Sequence, residues 1–350
     1  MGKFFCSVFC ASLFAACAFA ENVSKLVAPD VVGEFVLDPL EAMKLGDWHD
    51  FAELADSDIS FAEGPAWRKS TGEVFFSDIP KNTIYRWTKA DGKSIFKRPA
   101  GRAEGGLEKK LSAGSNGLAI APDGSLIICD MGNRRIARLN EKNFTVDTVA
   151  NSFCDRLLNE TNDVAVSKSG EVFFTDPALW KRRGREAKPE DLDFNGVYRV
   201  DTDGKIYLID ICELPNGIAL SPDDKTLYVS QSRGENPCWI AYTLAEDRKS
   251  FTSKRIFCNM RIWEKGQITG TPDGLAVDKN GFIYATGNGG IHVFSPQLKH
   301  LGYIEFENQT TNCCVIEGAD GEPEYLFITA SKGIYLADIK KILKAAKENM

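Results

Sequence analysis

The chain has 350 residues, of which 43% are hydrophobic, and a formal net charge of −7. That is enough apolar side chain for a large core in one unit. The negative balance, with no basic stripe to offset it, excludes a partner recognised through nucleic-acid phosphates. Residues 1–20 read as a targeting segment. Lys3 gives a positive start, an apolar run covers Phe4 to Phe19, and Ala18-Phe19-Ala20 is a small-x-small cleavage pattern before Glu21. The run is short for a membrane span and no stop-transfer pattern follows, so the expectation is an exported protein, periplasmic or secreted. A lipoprotein signal with Cys17 acylated after Ala15-Ala16 competes with this, but Phe14 stands where an aliphatic residue is usual.

Three of the ten cysteines lie in that segment, leaving Cys129, Cys154, Cys212, Cys238, Cys258, Cys313 and Cys314. An odd remainder with no CxxC pair is neither a zinc pattern nor a complete disulfide framework. One disulfide is expected in an exported chain, with no pair preferred. Residues 21–60 carry few repeat features and are assigned to an N-terminal segment that closes the fold. Within it, Glu34–Leu37 reads as a strand, Pro39–Lys44 as a short helical turn, and Phe51–Ala55 as a segment leading into the first repeat.

From Glu63 one phrase recurs. A polar residue opens a short apolar strand, a turn follows (Pro122-Asp123-Gly124, Ser169-Gly170, Pro222-Asp223-Asp224, Lys279-Asn280-Gly281), and a second apolar strand comes next. A third strand follows, such as Thr83–Trp87, Arg135–Leu139, Gly196–Val200 or Gly290–Phe294, and usually a fourth, such as Lys205–Ile209. The openers are Glu63, Asn116, Asn162, Asn216, Asp273 and Asn312, about 40 to 57 residues apart. That spacing is in the range of propeller blades. The fold class expected is all-β, a six-bladed β-propeller over residues 61–338 with a central metal site. An N-terminal strand would complete the last sheet, and a helical tail would cover residues 339–350. Two polar, charged insertions, Arg98–Ser112 and Trp180–Phe194, interrupt the pattern and are placed as loops, either lining the site mouth or simply solvated.

In a propeller, equivalent ends of the innermost strands converge on one mouth of the axial channel, so the openers would form a ring of carboxylates and amides. An all-oxygen ring suits a hard cation, Ca²⁺ before Mg²⁺ or Mn²⁺, better than Zn²⁺, which is usually richer in His or Cys. None of the three histidines is an opener. The competing view is that Asn-Gly and Asp-Gly are turn formers and any one opener is structural. Polar openers in register favour the metal site, because a packing role would select apolar or small residues.

These motifs together resemble the gluconolactonase branch of the SMP-30/gluconolactonase/luciferin-regenerating-enzyme family. The resemblance is carried by Phe61-Ala62-Glu63-Gly64-Pro65-Ala66-Trp67, Ser115-Asn116-Gly117-Leu118 with Gly132-Asn133-Arg134-Arg135, and Asn159-Glu160-Thr161-Asn162-Asp163 with Phe174-Thr175-Asp176-Pro177. It continues in Pro215-Asn216-Gly217-Ile218, Pro272-Asp273-Gly274-Leu275 and Thr311-Asn312-Cys313. The resemblance implies one divalent metal held by Glu63, Asn216 and Asp273, with Asn162 assisting at metal or substrate. It implies Asn116 and Asp163 as substrate contact and support. Two departures are visible: Asp130-Met131 where relatives often have Glu-His, and Glu160 where some have Arg or Ser.

The reaction expected is hydrolysis of a sugar lactone such as glucono-1,5-lactone, with metal polarisation of the carbonyl and Asp273 as general base. No G-x-S-x-G elbow is present to supply a serine nucleophile. The alternatives are a lactonase or esterase for another substrate, or a propeller that only binds a ligand. The partner expected is a small lactone, with no nucleic acid and no membrane span. Asn159-Glu160-Thr161 also matches a glycosylation acceptor, and a glycan there would crowd the mouth.

Overall fold

A computed structural model of the chain describes residues 44–102, 114–233, 236–260 and 270–347. The targeting segment, the strand expected at 34–37, most of the turn expected at 39–44 and most of the first insertion lie outside them. Lys44 itself begins a strand, Lys44–Asp47, rather than ending a helical turn.

The chain is nearly all β and arranged as six blades. The first strands of the blades are Ala62–Arg68, Leu118–Ile120, Val164–Val166, Pro215–Leu220, Leu275–Val277 and Asn312–Glu317. Blades one to four each add three further antiparallel strands in sequence order, so each blade is a meander. The first strands contact one another in a closed ring, one to two and onward, with six returning to one. Closure is made by residues before the repeat. Ala52–Asp56 pairs antiparallel with Gly333–Asp338 as the outer strand of blade six. This segment therefore pairs within the last blade, and the chain then passes directly into the first at Ala62. Lys44–Asp47 adds a fifth strand to blade five, parallel to His300–Glu305. Both additions cover edges that would otherwise be open to pairing with another chain.

The blades pack face to face, and alternate side chains serve alternate neighbours. In Gly290–Phe294, Ile291 and Val293 join the core shared with blade six, while Phe294 joins the core shared with blade four. In blade three, Val172 and Phe174 face blade two and Phe173 faces blade four. Each blade interface has its own apolar cluster of this kind. Strands apolar on both faces explain why the second strands read as unbroken apolar runs. The helix Ile339–Lys347 buries Ile339, Ile342 and Ala346, a helical spacing, in the cluster between blades five and six. Among the described residues no helix is long and apolar enough to cross a membrane. All seven cysteines after the targeting segment are free thiols, so the expected disulfide is not formed here. Cys129, Cys212, Cys238, Cys258 and Cys313 are dispersed over four blade cores, where a small side chain fills space, and Cys154 is exposed.

At the axis the strands come closer than side chains allow. A Cβ on Gly217 would lie 2.3 Å from the Asp273 carbonyl oxygen and 2.7 Å from Gly274 Cα. One on Gly117 would meet Asp163 Oδ1 at 2.3 Å, and one on Gly274 would meet Asn312 Cγ at 1.9 Å. The Asn-Gly pair at 216–217 lies inside a strand, so its glycine serves close approach and not the turn that its composition suggests. Hydroxyls at one position of the second strands bridge the gap. Ser77 donates to Asn116 O at 2.7 Å, Thr175 to Asn216 O at 2.5 Å, and Ser230 to Asp273 O. Thr286 donates to Thr311 O at 3.1 Å, and Thr311 donates to Ala62 O at 2.7 Å, which closes blade six on blade one.

Two predictions follow from this packing. Gly217→Ala forces a methyl into the backbone of blade five, and overpacking of this kind costs about 1–3 kcal/mol. Urea denaturation should show that loss, and a change below about 0.5 kcal/mol would contradict the close approach. The second concerns His292, which is fully buried, with Nε2 2.9 Å from Asn288 O and Nδ1 3.1 Å from His300 Nε2. Burial pushes His292 down from 6.5 to about 4. Its contribution to stability is therefore complete above pH 6.5 and lost as pH falls towards 4, on the order of 3 kcal/mol. His292→Phe should flatten the decline of the unfolding midpoint between pH 6.5 and 4. An unchanged slope would show that the imidazole titrates freely.

Candidate active site

Each opener stands at or just before the start of an innermost strand, so all six meet at one end of the axis. Antiparallel pairing brings the loops between second and third strands, and those between blades, to the same end. Glu63, Asn116, Asn162, Asp163, Asp273 and Asn312 are buried there, and Asn216 is half-buried. β-bulges beside Glu63 and Asn216 interrupt the ladder and re-aim these two residues.

Asp163 is the hub of the ring. Its Oδ1 accepts from Val164 N at 3.0 Å, and its Oδ2 accepts from Ile218 N and Asn312 Nδ2, each at 3.3 Å. One carboxylate thus ties blades three, four and six. Asn312 Oδ1 accepts from Cys313 N at 2.8 Å, which turns its NH₂ toward Asp163 and Glu63. Its role is to hold carboxylates, and no role had been assigned to it from the sequence. Glu63 Oε2 accepts from its neighbour Gly64 N at 3.0 Å. Asn216 Nδ2 donates to Ser232 Oγ at 2.8 Å, and the amide favours the charged form of the nearby Asp273.

The electrostatics record crowding. Burial first, then the charge of Asp163, pushes Glu63 up to about 8. Burial pushes Asp163 up to about 6 against the hydrogen bonds it accepts. Burial, then Glu63 and Asp163, pushes Asp273 well above the carboxylate range. Asp273 Oδ1 is buried with no hydrogen-bond partner among the described residues. Glu63, Asp163, Asp273, Asn216 and Asn312 are thus brought together by direct interactions. Asn116 and Asn162 stand on the same ring through their backbones, with Asn162 O accepting from Gly117 N at 2.7 Å. Among the described residues, no three His, Cys, Asp or Glu side chains form a ready metal cluster by themselves. What the axis offers is a mixed set of carboxylates and amides. An orphaned carboxylate oxygen, mutually repelling acids and oxygen donors together fit a hard divalent cation.

The second insertion is built in and not merely solvated. Trp180, in the short helix Leu179–Arg182, is buried and donates to Asn159 Oδ1 at 3.2 Å. Asp191 is held by Arg134 at 2.6 Å and Arg185 at 2.7 Å. Burial opposes ionisation of Asp191, but these contacts and the Lys188 N–H more than offset it, leaving its pKa at about 2. Asn159 is itself buried, with Nδ2 donating to Asp176 Oδ2 at 3.1 Å and Phe194 O at 2.9 Å, so a glycan has no room there. The two departures noted in the sequence are accounted for locally. Asp130 accepts from Asn133 at 2.9 Å and Arg135 at 2.8 Å, and Glu160 is buried against Arg183.

Residues 61–332 match the family described as SMP-30/Gluconolactonase/LRE-like region. A gluconolactonase from Zymomonas mobilis is 36% identical over 288 residues, 81% of this chain and 79% of that protein. A pentonolactonase from Haloferax volcanii is 23% identical over 80% of this chain and 84% of its own. The structure of a gluconolactonase from Xanthomonas campestris aligns with a TM-score of 0.67 at 25% identity, covering 81% of this chain and 88% of that one. A calcium-binding regucalcin from Agrobacterium tumefaciens, 18% identical over 82% of this chain and 92% of its own with a TM-score of 0.63, shares the fold. With residues 61–332 matched, this chain belongs to the SMP-30/gluconolactonase/LRE-like family.

Proposed function

We propose that the chain is a metal-dependent hydrolase that opens a sugar lactone, with glucono-1,5-lactone as the reference substrate and the aldonate as product. The observation that carries the reading is the buried Asp273 carboxylate at the axis, with one oxygen unpartnered among the described residues and its proton affinity raised. Its support from relatives is that proteins named gluconolactonase, pentonolactonase and lactonase align along most of the chain.

Glu63, Asn216 and Asp273, with Asn162 beside them, would hold one divalent cation, Ca²⁺ by the hardness of the donors. Bound there, the cation supplies Lewis-acid polarisation of the lactone carbonyl. Asp273 takes a proton from the attacking water as the new C–O bond forms. The bond from the carbonyl carbon to the ring oxygen then breaks, and the ring oxygen receives a proton as the hydroxyl of the open acid. Asn116 and Asn162, whose side chains carry no hydrogen bond to another described residue, would meet sugar hydroxyls. Asp163, with three hydrogen bonds already accepted, supports the ring without needing to touch substrate.

The test is proton release from glucono-1,5-lactone by residues 21–350, with EDTA and then with Ca²⁺, Mg²⁺, Mn²⁺ or Zn²⁺ restored singly. Hydrolysis should vanish with EDTA and return with one cation. Asp273→Asn should lower kcat/KM by about 10²-fold or more, the usual worth of a positioned base. A rate no faster than the spontaneous reaction with every cation would overturn the gluconolactone reading. Full activity in Asp273→Asn would overturn the assigned base.

A further inference from the structure

Ser232 follows the second strand of blade four, Thr226–Gln231, and is buried at the mouth. Its hydroxyl makes two hydrogen bonds. Oγ donates to Pro272 O at 2.6 Å, and it stands 2.8 Å from Asn216 Nδ2. A serine hydroxyl has one proton and two acceptor lone pairs. The Pro272 carbonyl can only accept, so it takes that proton, and toward Asn216 the same oxygen can only accept. An asparagine amide can otherwise present either of its ends to a neighbour. Facing an obligate acceptor, Asn216 must turn its NH₂ to Ser232. The carbonyl oxygen is then the end left over, and a hard cation requires that end, since an NH₂ offers it no lone pair.

We propose that Ser232 is a positioning residue of the axial site: by committing its only proton to Pro272, it fixes the Asn216 amide with Oδ1 free to ligate a divalent cation. The same two bonds tie Asn216 of blade four to the Pro272-Asp273 segment of blade five, so two of the ligands are set relative to each other before the cation arrives. The inference rests on the metal reading above. It extends that reading to a residue that touches neither metal nor substrate and that lies outside the repeated opener positions. Partners that orient a metal ligand are typically worth 10–100-fold in metal affinity.

The test is calorimetric titration of metal-free protein with Ca²⁺, Mg²⁺, Mn²⁺ and Zn²⁺ separately, with no lactone present. Ser232→Ala and Ser232→Val should raise the Kd of the preferred cation about 10–100-fold. Ser232→Thr, which adds the same bulk as Val but keeps a hydroxyl, should stay within about threefold of the wild type. The Thr and Val variants should unfold at similar temperatures without metal, which separates positioning from a general loss of stability. In the lactonase assay the Val variant should need more cation to reach half-maximal rate and should recover most of its kcat at saturation. If the wild type binds a cation and Val matches Thr, the Ser232 proposal fails while the metal reading stands. If the wild type binds none of the four cations, both fall.

Discussion

The structure depends on how closely six innermost strands approach one another around the axis. That approach is set by backbone contacts, with Gly117, Gly217 and Gly274 leaving space where the next blade passes. Second-strand hydroxyls bridge most of the gaps between blades, and Thr311, just ahead of the first strand of blade six, bridges the last. Each such bond is worth about 1 kcal/mol net, so their effect is mainly to set geometry. The same closeness buries Glu63, Asp163 and Asp273 together, where each opposes ionisation of another. A fold selected for stability alone would not keep these acids at its centre, and sites that break local rules in this way are where function is expected.

The blade interfaces can tolerate this cost. Every interface carries an apolar cluster built from alternate residues of the strands on either side. The N-terminal strands and the C-terminal helix strengthen the join between the last blades. Stability is therefore distributed around the ring, while the buried acids and amides are confined to the ends of the inner strands and the loops beside them. The insertion after blade three's second strand belongs to that end. Its Trp180 and Asp191 are fastened to Asn159 and Arg134, which ties this wall of the mouth to the residues beside Asn162.

The repeat was legible because its signals are local. Turn residues at fixed offsets and apolar runs on both sides of them give the blade period, and the openers keep register with it. What was not legible is what depends on the neighbouring blade. Gly217 reads as half of a turn pair until the Asp273 carbonyl is seen against it. Ser77, Thr175, Ser230 and Thr286 stood at one repeated position, an available signal, but their acceptors lie in the next blade. Asn312 was visible as the sixth opener, yet its bond to Asp163 crosses the axis and its influence on Glu63 reaches the next blade. That an N-terminal strand completes the last sheet follows from the need to close the ring, but which residues do so, Ala52–Asp56, and the parallel addition of Lys44–Asp47 to blade five rest on pairings more than two hundred residues away, for which a local pattern carries no information.

The central claim is that the acidic axis is incomplete without a divalent cation. Its most direct measurement is the denaturation of metal-free protein with and without saturating Ca²⁺, for the wild type and for the combined Glu63→Gln, Asp273→Asn variant. A cation at 100 times its Kd should stabilise the wild type by about 2.7 kcal/mol. The variant, relieved of two buried carboxylates, should be at least as stable as the metal-free wild type and should not respond to Ca²⁺. If neither Ca²⁺ nor any of Mg²⁺, Mn²⁺ and Zn²⁺ shifts the wild type, or if the variant shifts equally, the account of the axis is contradicted.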